Sequence, residues 1–295
     1  MRRDLGLLRP GDELATDLRI LTTRRTDLVG DRTRQLNRLR AQLLEIFPAL
    51  EHALDLTNRG PVVLLQRYQT PAQIRRAGTT RIQAHLRSRK VKGAAALAQA
   101  AVAAAQAQAA VAAAQAQQLV LPGETLAAAM VARLAKGVMA LDAELAELAE
   151  LDELIEARFR RHRHAEVLVS LPGMGPILGA EFLAATGGDL TLFGNADRLA
   201  SFAGLAPVPR DSGRVRGNLH RPRRFNRRLL RVFYLSSLAS LKACPASRAY
   251  YDRKRAEGKS HKQALLALSR RRVNVLWALL RDEVPYQATP VTAAA

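Results

Sequence analysis

The chain has 295 residues, 48% of them hydrophobic and 4% aromatic, which is length for two domains and apolar content for real cores. Its 46 Lys and Arg against 26 Asp and Glu give a net charge of +20, so the expected partner is a polyanion and binding should weaken steeply with salt. The single cysteine, Cys244, excludes an internal disulfide and a Cys-x-x-Cys zinc site, and its expected place is in a core. The start, MRRDLGLLRPGDELATDL, lacks the apolar run of a signal peptide, so a cytoplasmic location is expected.

From Leu14 to Phe47 apolar residues fall at 14, 18, 21, 28, 36, 39, 43 and 46, close to helical spacing with an interruption near Arg32. This predicts a long basic amphipathic helix that Pro48 ends. Residues 61–86 read as short helices, with Thr70-Pro71 and Thr79-Thr80 as N-terminal signals. Residues 93–123 carry no charge, a run long enough to cross a membrane. They are mostly alanine, with Gln99, Gln106, Gln108, Gln115, Gln117 and Gln118 spread through them, so no membrane span is expected. Within this run the nonapeptide AAVAAAQAQ at 100–108 recurs identically at 109–117, which lengthens a helix and carries no chemistry.

A third pattern runs from Gly123-Glu124-Thr125 to about Arg163, with Leu126, Met130, Leu134, Val138, Leu141, Leu145, Leu148, Ile155 and Phe159 at three- and four-residue steps. Glu144, Glu147, Glu150, Glu153 and Glu156 line its other faces. An acidic helix of this length and a basic one predict an antiparallel coiled-coil stalk, with the charge contrast setting the pairing.

Leu171-Pro172-Gly173-Met174-Gly175-Pro176 then separates two helical patterns in the form of a helix-hairpin-helix. Gly173 and Gly175 would let the turn pack tightly and leave N–H groups at a helix start facing a DNA phosphate. A turn of this composition is also a common loop. Downstream, Arg210, Arg214, Arg216, Arg221, Arg223, Arg224, Arg227, Arg228 and Arg231 stand against one acid, Asp211. An arginine run alone can be a solvated face, but beside such a turn it favours nucleic acid. A basic helix over 221–242 follows, then a Lys/Arg-rich turn at 253–262 and a helix over 263–282 whose Trp277 is expected in the core. The six histidines are scattered. His162 and His164 flank an arginine without partner cysteines or carboxylates, so no metal site is expected and they read as polyanion contacts or surface residues.

Ser212 is the one candidate nucleophile. In Pro209-Arg210-Asp211-Ser212-Gly213-Arg214 its hydroxyl could project toward a phosphate held by arginines. Ser-Gly after Asp is equally ordinary turn chemistry, and the residues alone leave both readings open.

The stretch from Leu171 to Leu238 resembles the C-terminal domain of the IS110/IS1111 (IS116/IS110/IS902) family of insertion-sequence transposases. The likeness rests on ordered motifs: the PGMGP turn, a segment from Phe193 to Pro207 ending in Phe202-Ala203-Gly204-Leu205-Ala206-Pro207, the Ser-Gly loop, Gly217-Asn218, and a basic helix with Leu229-Leu230-Arg231. It extends weakly over residues 8–285. The resemblance implies DNA transposition at insertion-sequence ends, Ser212 as the nucleophile that joins DNA, a guide RNA as second partner, a nucleoid location, and a dimer or tetramer. It also implies an RNase H-like domain with an Asp-Glu-Asp-Asp magnesium site in the family enzyme. No acidic strand pattern occurs in residues 1–60 and no acid in 56–123, so that site is expected to be missing and the chain to be an N-terminally shortened copy without magnesium of its own.

The expected fold is all-α. Its parts are a remnant linker and first stalk helix at 1–60, short helices and the Ala/Gln helix at 61–122, the second stalk helix at 123–164, a compact C-terminal domain at 165–283 and a disordered tail at 284–295. Little strand is expected, at Val208 or Val215. The alternative function is a non-catalytic helix-hairpin-helix DNA-binding protein on a coiled-coil stalk, which needs the arginines but not the serine hydroxyl.

Overall fold

The computed structural model describes residues 13–114, 124–209, 213, 217, 219–220 and 222–288. Among these the chain is all-α, as expected. The exceptions are a single 3-10 turn at Leu190–Leu192 and one antiparallel ladder of β1 (Val208–Pro209) with β2 (Leu219–His220), in which Val208 lies opposite His220. Val215 lies outside the described residues. Two compact units form, one from Arg25–Ala149 and the other from Met1–Arg24 with Glu150–Ala295.

In the first unit, α1 (Glu13–Ile46) contributes the expected seam: Leu28, Leu36, Leu39, Leu43 and Ile46 are buried. The break near Arg32 has a physical cause. Arg32 Nε donates to Asp142 at 2.6 Å and its Nη2 donates to the Thr57 carbonyl at 3.0 Å, so a cation holds the place of a core residue. Pro48 ends α1 and also opens α2 (Pro48–Ala53), where its missing N–H costs nothing. After α3 (Arg59–Leu65), α4 (Pro71–Ser88) starts with a capping box between Thr70 and Gln73. Gly78, at φ +67°, breaks α4 just before Thr79-Thr80, where the sequence signals a second start.

Helix α5 (Ala94–Ala114) packs on α4 through Ala94, Ala98, Ala101 and Ala105, which recur at three- and four-residue steps. By length and composition its Ala94–Val111 stretch could cross a membrane. The repeat does more than lengthen it. The Gln108 amide donates to the Ile46 carbonyl at 3.1 Å and accepts from the Ala49 N–H at 3.4 Å, bridging the end of α1 and the start of α2.

Helix α6 (Glu124–Arg160) keeps part of the expected seam, with Val138, Leu148, Ile155 and Phe159 buried, and corrects the rest: Leu126 and Met130 are exposed, and Ala128, Val131 and Ala135 are buried instead. Reading bulky residues as the buried face missed alanines, which bury as readily and allow closer approach. Of the acids expected on its other faces, the side chains of Glu144 and Glu147 lie outside the described residues.

The second unit takes Leu18 from α1 and Ile155 and Phe159 from α6, and Asp17 pairs with Arg158 at 2.5 Å. Here α1 supplies the acid and α6 the base, opposite to the expected contrast. The chain continues through α7 (Ala165–Ser170), α8 (Pro176–Thr186), α9 (Ala196–Phe202), α10 (Arg227–Ala243), α11 (Pro245–Ala256) and α12 (His261–Asp282). Helix α10 lies against α8, α11 and α12. Phe182 and Phe233 meet edge to face at 6.0 Å in this core, Trp277 packs half-buried against it, and Cys244 is buried as expected. The stretch from 284 does not start as a free tail: the Tyr286 N–H donates to Ser170 Oγ at 2.8 Å. Residues 289–295 lie outside the described residues.

His162 and His164 are buried, correcting the surface expectation. The His164 N–H donates to His162 Nδ1 at 3.1 Å, and His164 Nδ1 has no partner. Burial, and then the charges of Arg163 and His162, push the His164 imidazole below its ordinary value against a weaker opposing pull from Glu283. As pH falls through about 6.5 the unfolded chain therefore takes up a proton that the folded one refuses. The stability due to neutral His164 is complete above that pH and is lost toward the lower folded value. The urea midpoint should drop as pH is lowered from about 7 to about 5, and His164→Gln should shrink that drop.

Candidate nucleic-acid interface

The Pro172–Gly175 turn joins α7 to α8 and is seated on α10. Gly173 has φ +80°, and a Cβ there would lie 2.5 Å from the Ser236 carbonyl oxygen and 2.7 Å from the Ser240 nitrogen. The demand for glycine at 173 therefore comes from backbone-to-backbone packing as well as from its dihedral angle. Arg272, which the sequence reading passed over, fixes the turn from α12. Its Nη2 donates to the Pro172 carbonyl and to Ser236 Oγ, each at 2.6 Å. Gly175 is exposed, precedes Pro176 at the first position of α8, and has nothing near the place of a side chain. The start of α8 is open on that side.

Of the expected arginines, Arg210, Arg214, Arg216 and Arg221 lie outside the described residues, as does Ser212. Arg223, Arg224 and Arg227 are exposed, and no ion pair to them occurs among the described residues. Arg228 is directed inward, donating to Thr23 Oγ1 at 2.7 Å. Arg231 is committed internally: its Nη1 reaches both oxygens of buried Glu181 on α8, at 2.6 and 2.7 Å. The structure thus separates arginines that hold α10 from arginines available to a ligand.

The segment Phe202-Ala203-Gly204-Leu205 forms the seat of the basic turn. Gly204, at φ +71°, leaves room for the Phe225 ring, which would stand 2.6 Å from a Cβ at 204. The Asn226 N–H donates to the Phe202 carbonyl at 2.7 Å, and its Oδ1 accepts from the Leu229 N–H at 3.0 Å, capping α10. Arg223, Arg224 and Arg227 are held in this way at the N-terminus of α10. That end of a helix carries positive partial charge, and the first turn of α10 has no acid to balance it. Cations there oppose helix stability and add to the attraction for an anion. Among the described residues no three of His, Cys, Asp and Glu stand close enough to share a metal ion.

Fold and surface together define an all-α protein that presents a basic turn at a helix start, an arrangement suited to a phosphate backbone. Comparison with known proteins gives the family. The model of the transposase IS116/IS110/IS902 family matches residues 165–252, and a DEDD transposase model of IS110 elements matches in part, over residues 1–48. The chain is 56% identical over 296 residues to an insertion element IS900 protein of Mycobacterium paratuberculosis, covering 100% of this chain and 71% of that protein. It is 32% identical over 274 residues to a mini-circle putative transposase for IS117 of Streptomyces coelicolor, covering 90% of this chain and 63% of that one. A pilin gene-inverting protein of Moraxella bovis is 31% identical over 130 residues, 42% of this chain and 39% of its own. The chain belongs to the IS116/IS110/IS902 family of transposases. The match over residues 1–48 also covers most of α1, which the sequence reading assigned to a remnant linker and stalk.

Two measurements separate packing from binding. Gly173→Ala should cost about 2 kcal/mol or more in denaturant unfolding, from φ strain and overlap with α10, with little change in the DNA affinity of the folded fraction. Arg227→Ala should leave stability within about 0.5 kcal/mol, weaken DNA binding, and lower the slope of log affinity against log salt by about one. In the same assay Arg231→Ala should act on stability, because it strands the Glu181 carboxylate in the core.

Proposed function

We propose that the chain is a DNA recombinase acting on insertion-element ends, with Ser212 as the nucleophile and the arginines around it as the phosphate cradle. The observation that carries this reading is the set of exposed Arg223, Arg224 and Arg227 at the start of α10, without an ion pair among the described residues, in a chain of a transposase family. Charge at that point is set for an anion rather than for the helix. Gene inversion, named for the Moraxella relative, and transposition, named for the IS117 relative, both require DNA strands to be cut and rejoined.

In this reading Ser212 Oγ attacks a backbone phosphorus. A P–O bond to deoxyribose breaks, the serine proton passes to the departing oxygen, and the phosphodiester is conserved as a serine ester. The reverse attack by a deoxyribose hydroxyl on that ester rejoins a strand and frees the serine. Arginine guanidinium groups stabilise the charge on the nonbridging oxygens during both attacks. Gly175 and the open start of α8 would supply further backbone contacts in a helix-hairpin-helix. A guide RNA as second nucleic-acid partner and a dimer or tetramer complete the proposal.

The test is a denaturing gel that detects covalent protein–DNA adducts on insertion-element end DNA. Ser212→Ala should abolish the adduct while leaving equilibrium DNA affinity within about twofold. An adduct that persists in Ser212→Ala would remove the serine from its role. Binding without any adduct in the unsubstituted chain would instead favour the non-catalytic DNA-binding protein.

A further inference from the structure

Away from the arginine loop, the second unit holds a cavity of ≈ 360 Å³ between the start of α11, the face of α12 and the segment around Tyr286. Ser247, Tyr250, Arg271, Arg272, Tyr286 and Gln287 supply its polar and aromatic lining, and among the described residues no Asp or Glu lines it. Arg272 is 4% exposed, its Nε has no hydrogen-bond partner, and it forms no ion pair among the described residues. Burial pushes its guanidinium down to about 10, so it stays charged at neutral pH. A buried cation without a counter-charge is costly, and such groups are normally paired.

The surroundings add to the deficit of negative charge. Arg271 lies over the Tyr250 ring at 5.6 Å, and Arg253 lies over the same ring at 5.0 Å, while Lys254 beside them is paired with Glu257. Ala246 and Ser247 place the first turn of α11, a twelve-residue helix, in the lining, and that end of a helix carries positive partial charge. Tyr286 closes the far side, with its Oη 3.7 Å from Cys244 Sγ and its N–H bonded to Ser170. The contacts of Arg272 to Pro172 and Ser236 fix the guanidinium before any ligand arrives.

We propose that this cavity is a phosphate subsite for a nucleic-acid strand, built from different elements than the loop at 210–231. The assignment rests on the nucleic-acid reading given above and adds a second point of attachment to it. The phosphate meets the Arg271 guanidinium and the start of α11 at the mouth and supplies the charge that Arg272 lacks. Its other oxygens face Ser247 and Tyr286. Because Arg272 also holds the turn at Pro172, occupancy of the cavity and placement of that turn share one side chain.

The test uses the full chain, a fluorescein-labelled DNA duplex of random sequence, and inorganic phosphate as a separate titrant. Two variants alter the mouth without touching Arg272. Arg271→Ala removes a cation, and Ala246→Glu adds an acid at the first turn of α11, where a carboxylate suits the helix and keeps it folded. Each should weaken duplex binding about tenfold at low salt, and Arg271→Ala should lower the salt slope by about one. Duplex binding that responds to Arg227→Ala but to neither mouth variant overturns the subsite and leaves the nucleic-acid reading standing. Failure of the unsubstituted chain to bind the duplex overturns both. Inorganic phosphate binding that both variants abolish, with duplex binding indifferent to them, makes the cavity a free-phosphate site and overturns its assignment to nucleic acid.

Discussion

The second unit depends on the close approach of a turn to a helix. Gly173 brings its backbone against Ser236 and Ser240 of α10 at a distance that no side chain could share. The same stretch of α10 admits α12 on another side, where the Ser237 and Ser269 hydroxyls meet at 2.9 Å and Ser269 Oγ stands 3.2 Å from the Phe233 carbonyl oxygen. Small polar side chains let three backbones converge, and their hydroxyls are satisfied within the helices, so burying them leaves no orphaned group. Helix α10 is thereby fixed in place, and the direction in which its first turn presents arginines is fixed with it.

Electrostatics then divides the charge into two populations. Arg32, Arg158 and Arg231 are neutralised by Asp142, Asp17 and Glu181, and they join segments far apart in the chain. Among the described residues Arg223, Arg224 and Arg227, at the positive end of a helix, have no such partner, and Arg272 is buried without one. A net charge of +20 says only that a polyanion is favoured. The pairing pattern says which of these arginines remain for it.

Helical periodicity made much of the architecture legible. The all-α class, the seam of α1, the role of Pro48, the Thr70 cap and the restart at Thr79 all follow from local chemistry that acts within a few residues. Periodicity of bulky residues missed Ala128 and Ala135, which share the buried face of α6 with Val131 and Val138. It also failed for His162 and His164, whose burial is decided by neighbours distant in sequence. The ordered motifs identified the family because each marks a position where the chain has little freedom, such as Gly204 beneath Phe225 and Gly173 beneath α10.

The sequence by itself determined the helices, the excess of positive charge, the family, and the residues of the basic loop, since each is a property of composition or of order along the chain. Only the tertiary structure decided which arginines are committed to carboxylates and that Gly173 serves helix packing. It also decided that Arg272, unremarkable within its own helix, ends beneath the turn and beside a cavity that no acid lines among the described residues. Those outcomes depend on which helices meet and how closely. That is set by small residues and buried surfaces acting together over more than a hundred positions, a scale on which local sequence patterns carry no information.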